Sequence, residues 1–146
     1  MSKRIDYYTA SREAVNAMMT LERSVAGLGL EQSLLELVKL RASQINGCAF
    51  CVDMHVREAR EAGETDRRLH GVVVWRETPF FTDRERAALA WTEALTLVAQ
   101  TRAPDADYEE LARHFSPKEM TDLTVAIGTI NTWNRIAIGF RKMPAA

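Results

Sequence analysis

The sequence predicts an all-α fold, and three features favour helices over strands. Apolar residues recur at intervals of three and four positions along most of the chain, which is the period of an amphipathic helix. The 146 residues include only 7 glycines and 4 prolines. No stretch alternates β-branched and polar residues between turn residues, as a strand does. The length suits one domain, so we expect residues 1–146 to form a single helical domain.

The first half of the chain divides into three predicted helices. The first spans about 11–26 and ends at a pair of glycines. The second spans 32–45 and is apolar on most sides, so we expect it in the middle of a bundle or an oligomer. The third is a polar amphipathic helix over 48–62, with Asn46 as its expected N-cap.

The second half contains two clear helix starts. Thr82 and Glu85 form one capping box, and Ser116 and Glu119 form another. Within each box, the side chain of either residue can accept from the backbone amide of the other. These boxes open two long helices, the last of which reaches about Gly139. A weaker helix is predicted over 107–114, and 66–77 is expected to be a short helix or an irregular turn.

Composition excludes several classes of protein. The 19 basic and 20 acidic residues give a net charge of −1, which argues against nucleic acid or an anionic membrane as a partner. Two cysteines are too few for a disulfide-stabilised secreted scaffold. The sequence shows neither a signal peptide nor an apolar run long enough to span a bilayer, so we expect a cytoplasmic protein.

The residues that carry chemistry lie close together in the third helix. Cys48, Cys51 and His55 share one narrow face of a helix that turns 100° per residue. Two cysteines at this spacing in the first turn can form a disulfide, and the helix dipole favours their thiolates. His55 lies one turn beyond Cys51, where an imidazole can take the thiol proton or give one to a leaving oxygen.

Other interpretations of this cluster have to be weighed. The two cysteines can be buried apolar thiols without chemistry. Cys48, Cys51 and His55 can supply three zinc ligands, although no second Cys or His pair supplies a fourth. Attachment of c-type haem needs a histidine directly after the second cysteine, where this chain has Val52. Thiol redox chemistry is favoured over these alternatives.

The motif resembles the signature of the AhpD-like alkylhydroperoxidases, which belong to the carboxymuconolactone decarboxylase family. Glu36 stands twelve residues before Cys48, and Cys51 and His55 complete the pattern. The similarity extends from about Val15 to Phe140, with the motif proper in residues 36–55. Further typical segments are 36–47, Trp75-Arg76-Glu77 and Glu85-Arg86-Ala87-Ala88-Leu89.

The resemblance implies an all-α helical bundle that assembles as a homo-oligomer, either a trimer or a hexamer. It implies that Cys51 attacks the peroxide, that Cys48 resolves the sulfenic acid into a disulfide, and that Glu36 and His55 relay protons. One residue departs from the pattern of the best-studied alkylhydroperoxidase. That enzyme has a histidine directly before the second cysteine, where this chain has Phe50.

The residues alone give two arguments about the nucleophile. The helix dipole favours Cys48, which lies nearer the N-terminus of the helix, by about 0.3–1 kcal/mol at exposed sites. The spacing of four residues places His55 directly over Cys51. A base in contact outweighs a partial charge, so we expect Cys51 to be the nucleophile.

Two groups of polar residues are harder to interpret from the sequence. Considered apart from the resemblance, the position of Glu36 on the polar side of its helix predicts a side chain exposed to solvent. Packed against the helix that carries the cysteines, it can instead shuttle a proton. Asn131, Asn134 and Arg135 form a polar patch on the last helix, which we expect to make a subunit contact.

The sequence thus predicts a thiol-dependent alkylhydroperoxidase or disulfide reductase. Its substrate is an organic hydroperoxide, because Ala49, Phe50 and Met54 make the surroundings of the cysteines apolar. A dithiol, such as a lipoyl-type donor protein, restores the cysteines, and no metal, flavin or haem is required. Two alternatives are a carboxymuconolactone decarboxylase and a redox-sensing or adaptor protein without turnover.

Overall fold

The protein is described by a computed structural model that covers residues 4–146. Within that range the chain forms nine α-helices, one 3₁₀-helix and no strand, so the predicted all-α fold is confirmed. The elements, in order, are α1 (Tyr7–Ala10), α2 (Arg12–Ala26), α3 (Gln32–Asn46), α4 (Ala49–Glu61), α5 (Asp66–Gly71), the 3₁₀-helix (Val72–Glu77), α6 (Asp83–Thr96), α7 (Val98–Thr101), α8 (Asp105–His114) and α9 (Pro117–Gly139). In this range no helix is both long and apolar enough to cross a membrane.

Helix α3 lies in the middle of the bundle, as its apolar sequence predicts. On one side, Leu34, Leu35 and Val38 lie in the larger core, to which α6, α8 and α9 also contribute side chains. On another side, Leu37 and Leu40 lie in a second core with side chains of α4, α5, α6 and the 3₁₀-helix. Burial of each such side chain contributes about 1.5–3 kcal/mol. A central helix with two apolar faces therefore holds the other helices in place.

The predicted capping boxes form at the start of the two long helices. Thr82 accepts from the amide of Glu85 at the start of α6, and Glu85 bonds the amide of Thr82. Ser116 and Glu119 make the same pair of bonds at the start of α9. Segment 66–77, expected to be a short helix or an irregular turn, is α5 followed by the 3₁₀-helix with a non-helical residue inside it.

A tight turn joins α3 to α4 and corrects one prediction. Gly47 adopts the left-handed conformation (φ 72°), which glycine accepts without steric cost, and it ends α3. The N-cap of α4 is Cys48, whose Sγ accepts from the amide of Cys51 at 3.3 Å. The prediction of Asn46 as N-cap is therefore wrong, because Asn46 is still the last residue of α3.

Asn46 instead belongs to a polar network inside the bundle. Its Nδ2 donates at 2.9 Å to the side-chain oxygens of both Asn131 and Asn134 on α9. Asn134 in turn donates to Ser43 of α3, and Asn131 donates to Thr96 of α6. The predicted polar patch of α9 thus lies largely within the chain, since both asparagines are buried. The network fixes the end of α3, and with it the turn before Cys48.

Replacing Asn134 by alanine is expected to lower the free energy of unfolding by about 1–3 kcal/mol. The substitution removes the donor to the buried Ser43 hydroxyl, which still donates to the carbonyl of Lys39, and one partner of Asn46. Thr132→Ala is the matched control, because Thr132 is exposed on the same helix and bonds only within it. Urea unfolding measures the free energy of unfolding of both variants. Equal stabilities of the two variants would contradict the structural role of the network.

Candidate active site

The two cysteines are joined at the start of α4. The structure contains a disulfide between Cys48 and Cys51, with the Cα atoms 5.3 Å apart, well within the range that a disulfide requires. Both residues are buried, and they pack against Ala137 of α9 and Phe50. The predicted proximity of the two sulfurs is confirmed, and the pair is in its oxidised form.

Glu36 and His55 meet between α3 and α4. The Nδ1 atom of His55 lies 3.2 Å from an Oε atom of Glu36, at hydrogen-bond distance. Both residues are at most 5% exposed. The solvated position that the polar side of α3 predicts for Glu36 is therefore wrong, because α4 covers that side. The tight turn at Gly47 makes the contact possible, since each residue lies about two to three helical turns from it.

Glu58 is a third member of this cluster that sequence reasoning missed. Its carboxylate lies 3.5 Å from the same Nδ1 atom, and its side chain is about half exposed. Glu58 follows His55 by three residues on α4, which places the two side chains on one face of the helix. That spacing is the signal by which the sequence could have revealed it.

The charges around His55 set its protonation. Burial on its own lowers the pKa of His55, and Lys39 of α3 also acts to lower it. The bonds to Glu36 and Glu58 outweigh these effects, so that the pKa of His55 is raised above its usual value. The same contact with His55 lowers the pKa of Glu58. The two carboxylates thus favour the imidazolium form of His55.

The second ring nitrogen of His55 is left without a partner. Nε2 is buried, and no polar atom of the described residues bonds it. A buried polar atom without a partner costs free energy unless a ligand or a water satisfies it. Since Nδ1 is held by the two carboxylates, Nε2 is the atom that remains to exchange a proton with a bound molecule.

A cavity of about 280 Å³ opens beside Cys51 and His55. Its walls come from α1, α2, α4 and α9, which bring together residues far apart in the sequence. Most of the lining residues are aromatic, sulfur-containing or acidic. The full lining consists of Tyr7, Tyr8, Met19, Glu22, Phe50, Cys51, Met54, His55, Glu58, Trp133 and Ala137. Cys48 is not part of this wall, as far as the described residues show. Of the two cysteines, Cys51 is therefore the one that lines the cavity.

The cluster around His55 also offers ligand atoms to a cation. One atom each of Glu36, His55 and Glu58 lies within 4.8 Å of the others. The imidazole Nδ1 is already bonded to the carboxylates, so a metal ion would have to displace that proton. In the described arrangement the carboxylates hold the imidazole through hydrogen bonds, with no open ligand position at Nδ1.

Comparison with known proteins is consistent with this site. The sequence model of the carboxymuconolactone decarboxylase family matches residues 12–94, which include all four residues of the motif. The uncharacterized protein YdfG of Bacillus subtilis is 38% identical over 146 residues, which cover 100% of this chain and 99% of YdfG.

Two solved structures are also similar. One is a protein of unknown function from Agrobacterium tumefaciens, described as a candidate antioxidant defence protein AhpD. It is 52% identical, with a TM-score of 0.97 and 99% of each chain covered. The other is an uncharacterized peroxidase-related protein from Ralstonia eutropha with an alkylhydroperoxidase AhpD core. It is 20% identical, with a TM-score of 0.82 over 94% of this chain and 74% of its own, and shows the fold alone. The chain belongs to the carboxymuconolactone decarboxylase family and is AhpD-like.

Proposed function

We propose that this protein is a thiol-dependent peroxidase that reduces organic hydroperoxides through the Cys48–Cys51 pair. The observation that carries the proposal is the pairing of two groups in one cavity. Cys51 lines it beside His55, whose Nε2 has no partner among the described residues. A nucleophile and a proton donor facing the same bound molecule are what cleavage of an O–O bond needs.

The first step consumes the hydroperoxide. In the reduced protein, the Cys51 thiolate attacks the terminal oxygen of R–O–O–H, so that an S–O bond forms and the O–O bond breaks. The leaving alkoxide takes a proton from Nε2 of His55 and departs as an alcohol. Glu36 and Glu58 accept from Nδ1 and stabilise the imidazolium, and the proton that Nε2 gives to the alkoxide is the one that it took from the Cys51 thiol.

The second and third steps restore the protein. Cys48 attacks the sulfenic acid of Cys51, the disulfide forms and water leaves. A dithiol then reduces the disulfide by exchange, and a cyclic disulfide of the donor is released. A lipoyl-type donor protein suits this step, because its two thiols close into such a ring.

The assignment of Cys51 as nucleophile rests on two observations. Cys51 lines the cavity, whereas the Sγ of Cys48 caps α4 and accepts the amide of Cys51. His55 follows Cys51 by one turn of the same helix, so base and sulfur share a face. Phe50 stands in the same wall where the best-studied relative has a histidine. The relay in this chain therefore consists of His55 and Glu36, with Glu58 beside them.

Cys51→Ser is expected to abolish consumption of cumene hydroperoxide with reduced lipoamide as donor, because it removes the nucleophile. His55→Ala is expected to lower the rate about 10²-fold or more by removing the proton donor. Cys48→Ser is expected to consume about one equivalent of peroxide and then stop. The loss of peroxide over time, followed spectroscopically, gives the rate and the extent of consumption for all three variants.

Asp53→Asn is the control for these variants, because Asp53 pairs with Arg57 on the exposed face of α4. Undiminished turnover in both Cys51→Ser and His55→Ala would contradict the proposal. If peroxide oxidises the parent protein to the disulfide but no dithiol supports continued consumption of peroxide, the protein is a redox sensor instead.

Glu58→Gln is expected to lower the pKa of His55, because the substitution removes a carboxylate that favours the imidazolium. The fraction of neutral imidazole at pH 7 then rises. An NMR titration of the His55 ring in the disulfide form measures the change, with Asp53→Asn as the control on the same helix. A pKa that stays the same or rises in Glu58→Gln would show that this carboxylate does not act on His55.

A further inference from the structure

We propose that the cavity beside Cys51 selects uncharged hydroperoxides that carry an aromatic ring, and that it discriminates against those with a carboxylate. This inference rests on the proposed function and deepens it by naming the substrate class. It comes from the walls of the cavity and from the charges behind them, neither of which the motif residues determine.

The walls favour one flat apolar group. Aromatic rings contribute most of the apolar wall, and two methionines complete it: Tyr7, Tyr8, Phe50, Trp133, Met19 and Met54. The rings of Tyr7 and Tyr8 stack with centroids 4.6 Å apart and form one continuous side. Aromatic pairs are favoured beyond the area that they bury, and methionine adapts to the shape of its neighbours. A volume of about 280 Å³ is small for a binding site, and suits a molecule with a single ring.

The charged groups in the wall of the cavity and directly behind it carry a surplus of negative charge. Glu22 and Glu58 lie in its wall. Lys39 pairs with Glu22 at 2.7 Å, and His55 bonds Glu36 and Glu58. Three carboxyl groups thus stand against two cationic side chains, and the Cys51 thiolate adds a further negative charge in the reduced protein. A carboxylate placed in the cavity would lose water and meet a surplus of negative charge.

The tyrosines add no positive or negative charge to this balance. Burial raises the pKa of Tyr7 above its usual value, and its contact with Tyr8 raises it further, so the hydroxyl stays neutral. At the rim, Nζ of Lys142 lies 5.5 Å from the centre of the Phe50 ring and 5.8 Å from that of Tyr8. Lys142 is exposed, so water and salt weaken its pull on an anion.

A matched pair of substrates tests the proposal. Cumene hydroperoxide carries one neutral ring, and its para-carboxylate derivative differs only by a charged group on that ring. We expect kcat/KM for the neutral compound to be at least about tenfold higher. We also expect cumene hydroperoxide to react faster than tert-butyl hydroperoxide, which lacks the ring. Equal values for the charged and neutral compounds, or a preference for the carboxylate, would overturn the inference.

Two variants identify the source of the discrimination. Glu22→Gln removes a negative charge from the wall and is expected to reduce the ratio between neutral and charged substrates severalfold. Lys142→Met removes the cation at the rim, and we expect it to leave the ratio nearly unchanged. If Glu22→Gln leaves the ratio unchanged, or if the ratio changes chiefly in Lys142→Met, the charges of the wall do not govern selection.

Binding of the product alcohols separates this inference from the proposed function. The alcohols of the two cumene compounds contain no O–O bond, so their affinities do not depend on turnover. Calorimetry on the disulfide form is expected to show tighter binding of the neutral alcohol. If that preference holds while no hydroperoxide is consumed, the proposed function fails and the selectivity stands. If both alcohols bind equally while peroxide is consumed, only the selectivity fails.

Discussion

The contact between Glu36 and His55 is the interaction on which the site depends. Burying an imidazole and a carboxylate together carries a desolvation cost, which is offset only when the geometry is good and further partners are present. Here Glu58 adds a second carboxylate to the same nitrogen, and Lys39 lies close enough to act on both His55 and Glu58. Because Nδ1 is held in this way, the ring is fixed and Nε2 is left for chemistry.

That contact in turn requires α3 and α4 to keep their relative position. Gly47 provides the reversal between them, and a side chain with a Cβ would be strained in its left-handed conformation. The bonds of Asn46 to Asn131 and Asn134 fix the last turn of α3 against α9. The polar network therefore holds the helices beside the turn, whereas the contact between Glu36 and His55 joins them two to three helical turns away from it.

Much of the fold could be predicted from the sequence, since its signals are local. The capping boxes at Thr82 and Ser116 depend on residues three positions apart, and the central place of α3 follows from its own apolar faces. The burial of Glu36 could not be predicted from its helix alone, because the partner that covers it comes from α4. Leu40 on the side of Glu36 and the apolar character of α3 argue against a solvated position, and the similarity to a known family adds the pairing with His55.

The lining of the cavity could be predicted from the sequence even less than the burial of Glu36. Its motif residues, Cys51 and His55, stand four positions apart, and a helical period brings them together. Tyr7 and Trp133 reach the same wall from opposite ends of the chain. Arg4 and Tyr7 near the N-terminus contact Gly139 and Phe140, and such long-range pairs have no local signal. The same holds for the two asparagines of the polar patch on α9, whose partners lie on α3 and α6.

In the proposed function, His55 activates Cys51 within the cavity. Alkylation of the reduced protein with iodoacetamide at pH 7, resolved by peptide mapping, tests this most directly, because the reagent responds both to thiolate and to access. We expect Cys51 to react faster than Cys48, and His55→Gln to slow Cys51 about tenfold while Cys48 is little affected. Faster reaction at Cys48, or a Cys51 rate that His55→Gln leaves unchanged, would contradict it.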